Sequence, residues 1–492
     1  MILAVLAALI AGIAISVLVG SSNVLLLIGG LIGLTGIVVL CANPRLEVSV
    51  MLLALYLGLL DGPVKLGVAH TVGSGLREVL IICVALGAFL RLLAKRQKIV
   101  LPPLSPWALG FSAAVLIEVL NPKTGGILKS VGGVYQELGW VPFFFFGYGI
   151  MRTKSRFRRA FILLGVIALA NGVVNTYQSR LNPAGLASWG PGYKNLVYGT
   201  AVAGQKGGIT GRTYSVEGEA HVRPPGLGSD EGFGAGTGTL ALPAILALIA
   251  TTRGRRRWGY VPLALGALAG VATGGGRIEV IGALLAVLAF AVFSLSAGRR
   301  VTKALTALLL VLVLAIPLGA VFVSALGSAT FARYASLTSG STSDTKTTSI
   351  AKLPSQLVAA PFGVGLGTVG AAGGFGGGQH TELEGHGVSA ETEYNFIADE
   401  LGVLGLLMFA GLGARVIFLA ATRLRRVRDV ELRIYLAAVF ASFTAFMITG
   451  FAGPTTTAAN FGPFYWFAGG IAAYWLAGRA NHFRGAMEVV AP

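Results

Sequence analysis

Three charged residues stand where charge is costly to place. Arg223 lies in the stretch HVRPPGLGSDEGFG, Arg277 follows TGGG with Glu279 two residues further on, and Glu391 opens the stretch ETEYNFIADELGVLG. Each borders an apolar run of membrane-spanning length, and a charge at a membrane boundary marks a functional site by default. Guanidinium forks bind anions through paired hydrogen bonds. A carboxylate shielded by apolar helices has a raised pKa and can accept a proton. The plainer reading of Arg277 is a snorkelling anchor, or an ion pair kept for stability.

These residues have to be positioned by helices in lipid. Hydrophobic residues make up 54% of the 492 and charged residues 12%, with mean hydropathy +0.77. A soluble chain carries about 25% charged residues, so this composition calls for a bilayer. The 71 glycines follow no collagen period and suit close helix packing. Cys41 and Cys83 each sit in an apolar run and read as small buried hydrophobes. Apolar runs of about 20 residues predict spans near 1–20, 23–42, 47–61, 78–94, 105–120, 138–151, 158–177, 233–252, 258–274, 278–298, 304–326, 401–421, 432–450 and 462–478. The first run lacks a basic leader and is followed at once by a second, which predicts an uncleaved helix.

The net charge of +18 comes from short basic clusters near 91–98, 152–159, 253–257, 299–303 and 423–433. Between clusters the spans are even in number, the signature of cytoplasmic loops under the positive-inside rule. No basic domain stands outside the membrane, which excludes nucleic acid as a partner. Both termini are then expected in the cytoplasm, with a small outer segment near 121–137 and long outer loops at 178–232 and 327–400. The expected organisation is N-terminal spans 1–177, loop 178–232, spans 233–326, loop 327–400, and C-terminal spans with a tail over 401–492. The fold class is an all-α polytopic membrane bundle of about 12–14 helices, with short helices and turns in the outer loops.

Two weaker patterns occur in the second long loop. Gly365, Gly367 and Gly370 spell GxGxxG, but a dinucleotide site needs a strand before and a helix after it; a tight turn is the better reading. His380 and His386 lack a third ligand at metal spacing.

Taken together, these stretches resemble the O-antigen ligases and the O-antigen or exopolysaccharide polymerases of bacterial envelopes, over roughly residues 210–425. Arg223-Pro-Pro-Gly226 resembles that family's Arg-x-x-Gly loop entering a helix. Thr273-Gly-Gly-Gly-Arg277 resembles its Thr-Gly-Ser-Arg element, with Gly276 in place of serine. Pro361-Phe-Gly-Val-Gly-Leu-Gly367 and the run from Glu391 to Gly402-Val-Leu-Gly405 resemble its C-terminal signature, with Glu391 at the histidine position. The resemblance implies a GT-C-like membrane glycosyltransferase in the bacterial inner membrane. Its donor would be an undecaprenyl-diphosphate-linked glycan and its acceptor a sugar hydroxyl at the extracytoplasmic face. It implies Arg223 and Arg277 as stabilisers of the leaving diphosphate and Glu391 as general base, with Arg212, Asp230, Arg333 and Tyr394 binding substrate. No metal or cofactor is needed, inversion at the anomeric carbon follows, and a flippase and a chain-length regulator are expected partners. Glutamate rather than histidine at 391 favours polymerase over ligase. The reading from another class is a secondary transporter or lipid flippase, which calls for an internal repeat and charges at the midplane. Glu118 is the main acid inside a span.

Overall fold

The computed structural model describes residues 43, 45–68, 70–94, 96, 101–124, 126–200, 209–210, 213–216, 219–230, 232–295, 340–368, 392–455 and 461–478. In chain order the helices are α1 (Leu46–Leu55), α2 (His70–Ala94), α3 (Ser105–Glu118), α4 (Ile127–Leu138), α5 (Pro142–Ile150), α6 (Lys154–Gln178), α7 (Pro183–Ala187), α8 (Pro191–Tyr198), α9 (Phe233–Thr251), α10 (Val261–Thr273), α11 (Arg277–Ser294), α12 (Gly340–Ala359), α13 (Glu393–Arg423), α14 (Val430–Thr449) and α15 (Phe461–Trp475). Five of them, α6, α9, α11, α13 and α14, are long and apolar enough to cross a membrane. Among the described residues, two small antiparallel sheets, β1 (Gly199–Thr200) with β2 (Ile209–Thr210) and β3 (Thr213–Val216) with β4 (Glu219–Val222), accompany a mostly helical structure. The expected spans 1–20, 23–42 and 304–326 lie outside the described residues, as does Cys41; Cys83 is half-buried on α2.

α9 and α14 are the central helices, buried along nearly their whole length. α6, α10, α11 and α13 pack around them. The contacts are close because the residues between them are small: a β-carbon on Gly172 of α6 would collide with the Gly266 carbonyl of α10. Such approach gives membrane helices the van der Waals contact that a hydrophobic effect cannot supply in lipid. An aromatic column (Phe111, Phe409, Tyr465, Phe443 and Phe446) fills the space between α3, α13, α14 and α15.

The chain alternates between two ends of this bundle. One end gathers the basic clusters. Lys154 pairs with Asp429 and Glu431, Arg156 and Arg159 pair with Glu47, and Arg158 donates to the Tyr260 hydroxyl at 3.1 Å. The other end holds the starts of α9, α11 and α13 and the last turns of α6, α10 and α14. The loops bearing Arg223, Arg277 and Glu393 therefore share it.

Two boundaries differ from the hydropathy reading. α13 begins at Glu393, eight residues before the expected span, and its first turns are polar and buried within protein. A hydropathy window passes over such turns. The segment near 121–137 carries an amphipathic helix, α4, lying beside the end of α3.

Candidate functional site

The Arg223 loop is built on amides. Asn171, Asn175 and Gln178 lie along one face of α6 and are fully buried. Gln178 Oε1 accepts from the Gly226 N–H at 2.8 Å while its Nε2 donates to the Gly226 carbonyl at 3.1 Å. Asn171 Oδ1 accepts from the Leu227 N–H at 2.9 Å, and its Nδ2 donates to the Gly58 carbonyl at 2.8 Å. Asn175 Nδ2 donates to the Gly270 carbonyl at 3.2 Å. Buried main-chain groups cost free energy unless they are paired, so these amides fix the loop's path. Gly226 has φ +68°, and a β-carbon there would lie 2.7 Å from Asn171 Oδ1; the glycine of the Arg-Pro-Pro-Gly stretch is required on both counts. The β3–β4 hairpin, with Tyr214 opposite His221, leads straight into Arg223.

Arg277 is the first residue of α11, after Gly275 at φ +67° and the N-cap Gly276. A β-carbon on Gly275 would lie 3.6 Å from Tyr214 Cε1 and 4.0 Å from Arg223 Cγ, so the two arginine loops touch. Glu279, the third residue of α11, folds back over the helix start. A β-carbon on Gly276 would collide with its Oε2, and one on Gly232, the N-cap of α9, would lie 2.6 Å from its Oε1. The Thr239 hydroxyl donates to the Glu279 carbonyl at 3.0 Å and ties α9 to α11. Two helix starts, each carrying roughly half a positive charge, thus meet beside two half-buried arginines.

A second group of polar residues sits at the head of α13. Thr392 caps the helix by accepting from the Asn395 N–H at 3.2 Å. Glu393 donates its N–H to the Gly450 carbonyl at 2.9 Å, and its Oε2 accepts from the Thr455 N–H and hydroxyl. Asn395 Nδ2 donates to Gln356 Oε1 at 2.8 Å and to the Ser349 carbonyl at 2.9 Å; Gln356 in turn donates to Asp399. Burial and the nearby charge of Glu393 push the Glu137 carboxyl up to about 8. The segment 361–368 lies across this head: the Val364 N–H donates to the Asp399 carbonyl at 2.6 Å and the Val403 N–H to the Pro361 carbonyl at 2.9 Å. The two groups adjoin through α14, because a β-carbon on Gly282 of α11 would lie 3.2 Å from Thr449 and one on Gly450 would lie 3.3 Å from Glu393 Cβ.

Among the residues singled out from sequence, Arg223 and Arg277 come together. Asp230 is exposed at the same end. Tyr394 turns inward, donating its hydroxyl to the Met447 carbonyl at 2.7 Å, and braces α13 against α14. Glu118 is buried, and its Oε2 accepts from Asn121 at 2.7 Å. Glu391, Arg212, Arg333, Gly370, His380 and His386 lie outside the described residues. Among the described residues, no three His, Cys, Asp or Glu side chains gather to hold a metal.

Sequence reasoning missed the amide face of α6 and a third polar group at this end. Arg77 lies 3.5 Å from Asp61 and 3.1 Å from Glu78, donates to the Tyr135 hydroxyl, and stacks over Trp140. The neighbouring Gly62 N–H donates to the Leu227 carbonyl at 3.2 Å, so this group props the Arg223 loop from behind. The signal was present: polar side chains inside apolar runs, at positions 61, 77, 78, 171, 175 and 178. No protein-family model, curated protein or solved structure matches the chain.

Proposed function

We propose that the chain is a membrane glycosyltransferase of GT-C-like architecture. It would transfer an undecaprenyl-diphosphate-linked glycan to an acceptor sugar hydroxyl at the extracytoplasmic face, as a polysaccharide polymerase. The observation that carries this reading is the convergence of Arg223 and Arg277 at two helix starts, opposite the end where the basic clusters gather. Such an arrangement favours an anion, and a diphosphate leaving group develops negative charge as its bond to the anomeric carbon breaks. The acceptor oxygen forms the new bond from the opposite face, inverting the centre, and its proton passes to a carboxylate at the head of α13. Glu391 is the proposed base, with Glu393 two residues on.

The test follows lipid-linked glycan length in cells lacking the protein. Loss of long chains, with single lipid-linked repeats still present, supports a polymerase. Full-length lipid-linked chains that never reach a final acceptor would make it a ligase instead, and unchanged glycans would sink both. Arg277→Ala should slow transfer about 30- to 1000-fold, equivalent to about 2–4 kcal/mol of lost charge stabilisation; a fully active variant would reduce Arg277 to an anchor. Orientation is checked with single cysteines: a membrane-impermeant reagent should label Asp230→Cys in intact cells and spare Arg426→Cys.

A further inference from the structure

The carboxylate of Glu279 occupies ground that an incoming anion would need. Glu279 is the third residue of α11, the position from which a glutamate can reach back to its own helix start. Here it reaches two starts. Its Oε2 fills the space beside Gly276, and its Oε1 lies 2.6 Å from the β-carbon position on Gly232. Neither N-cap residue has a side chain to satisfy its helix. Gly276 follows Gly275, against which the stem of Arg223 packs, and Arg277 comes next. One carboxylate therefore stands between two helix starts, within the loop that leads into Arg277 and that the stem of Arg223 packs against.

We propose that Glu279 is a resident counter-ion of the arginine pair, holding the Arg223 and Arg277 loops together until a diphosphate takes its place. This rests on the reading of the arginines as a diphosphate site. The physical case is one of competition. A carboxylate and a diphosphate both seek the same N–H donors and guanidinium groups, and like charges in a half-buried site repel strongly. With the ligand absent, the carboxylate neutralises part of a positive cluster that would otherwise push its loops apart. With the ligand present, the side chain must swing out, which it can do because Glu279 is only half-buried. The bare Gly276 leaves the resting carboxylate its room: a β-carbon there would press on its Oε2.

The competition is measured with inorganic pyrophosphate titrated into purified full-length protein by calorimetry. Glu279→Gln keeps the shape and loses the charge, so pyrophosphate should bind about tenfold more tightly than to the parent protein. A glutamate that only caps its helix would leave that affinity unchanged or weaken it, and either result overturns the proposal, as does failure of pyrophosphate to bind both proteins. A second measurement tests the placement without any ligand. Glu279→Gln should lower the thermal unfolding temperature of the ligand-free protein, and by less in high salt; an unchanged temperature would show that the carboxylate does not hold the two loops together. Tightened pyrophosphate binding with unchanged cellular glycans would sink the glycosyltransferase reading and leave the counter-ion role standing.

Discussion

The two ends of the bundle use charge in different ways. At the basic end, Lys154 bridges Asp429 and Glu431 with all three side chains more than 40% exposed, and Arg156 and Arg159 share Glu47. Pairs of that kind are screened and add little to stability. At the opposite end, Asp61 is 1% exposed and Arg77 12%, and Glu137, Glu393 and Asp399 are all buried. Burying charge costs several kcal/mol per ion before any pairing is counted. The first arrangement suits a surface that only sets orientation in a membrane. The second occurs in two groups around one set of loops, which suits an end where geometry is held for chemistry.

That contrast is sharpest at Arg77. Arg77→Ala leaves Asp61 and Glu78 without their cation and should cost about 3–5 kcal/mol, read as a lower unfolding midpoint in detergent. A loss no larger than that of a surface pair would erase the distinction between the ends. A step below comes Gln178→Ala, which strands the N–H and carbonyl of Gly226. The expected cost is about 1–3 kcal/mol, and turnover should fall further than stability because Arg223 loses its support. Unfolding and transfer assays on the same preparation separate the two.

A third effect appears only as pH changes. The folded-state pKa of Glu137 is raised, from about 4.5 to about 8, by burial and the charge of Glu393. Its protonated form therefore stabilises the fold fully below about pH 4.5, and that contribution is lost as pH rises through about 8. Glu137→Gln should flatten this decline in a pH series of unfolding midpoints. An unchanged slope would assign the decline to another group. The smallest effect is expected at Lys154→Ala: under about 1 kcal/mol, shrinking further in high salt.

Much of the helical skeleton was legible in composition and hydropathy because lipid imposes one strict rule, a long apolar run for each crossing. Arg223 and Arg277 were legible too, as charges at the ends of such runs. The supports were not. Asn171, Asn175 and Gln178 are three polar residues in a helix that otherwise reads as lipid-compatible, and their partners lie in distant loops. The head of α13 was hidden because hydropathy averages away a polar turn, although Thr392 three residues before Asn395 carries a capping signal. The closeness of Glu279 to Gly232 depends on packing between α9 and α11, which no local pattern encodes.

The break in α13 at Gly402 has a consequence for how this segment enters the bilayer. At φ +59° and ψ −154°, Gly402 divides the 31-residue helix into 393–401 and 403–423. The longer piece rises about 1.5 Å per residue, or about 31 Å in all, which matches the hydrocarbon thickness of about 30 Å. The longer piece carries no acidic residue, since Glu393, Asp399 and Glu400 all precede the break; its charges are Arg415 and Arg423. The shorter piece adds about 14 Å, all of it enclosed by protein and roofed by residues 361–364. In a bilayer, the piece that has to cross the apolar layer is then the one without acids, and Glu393, Asp399 and Glu400 stay in the protein-enclosed piece.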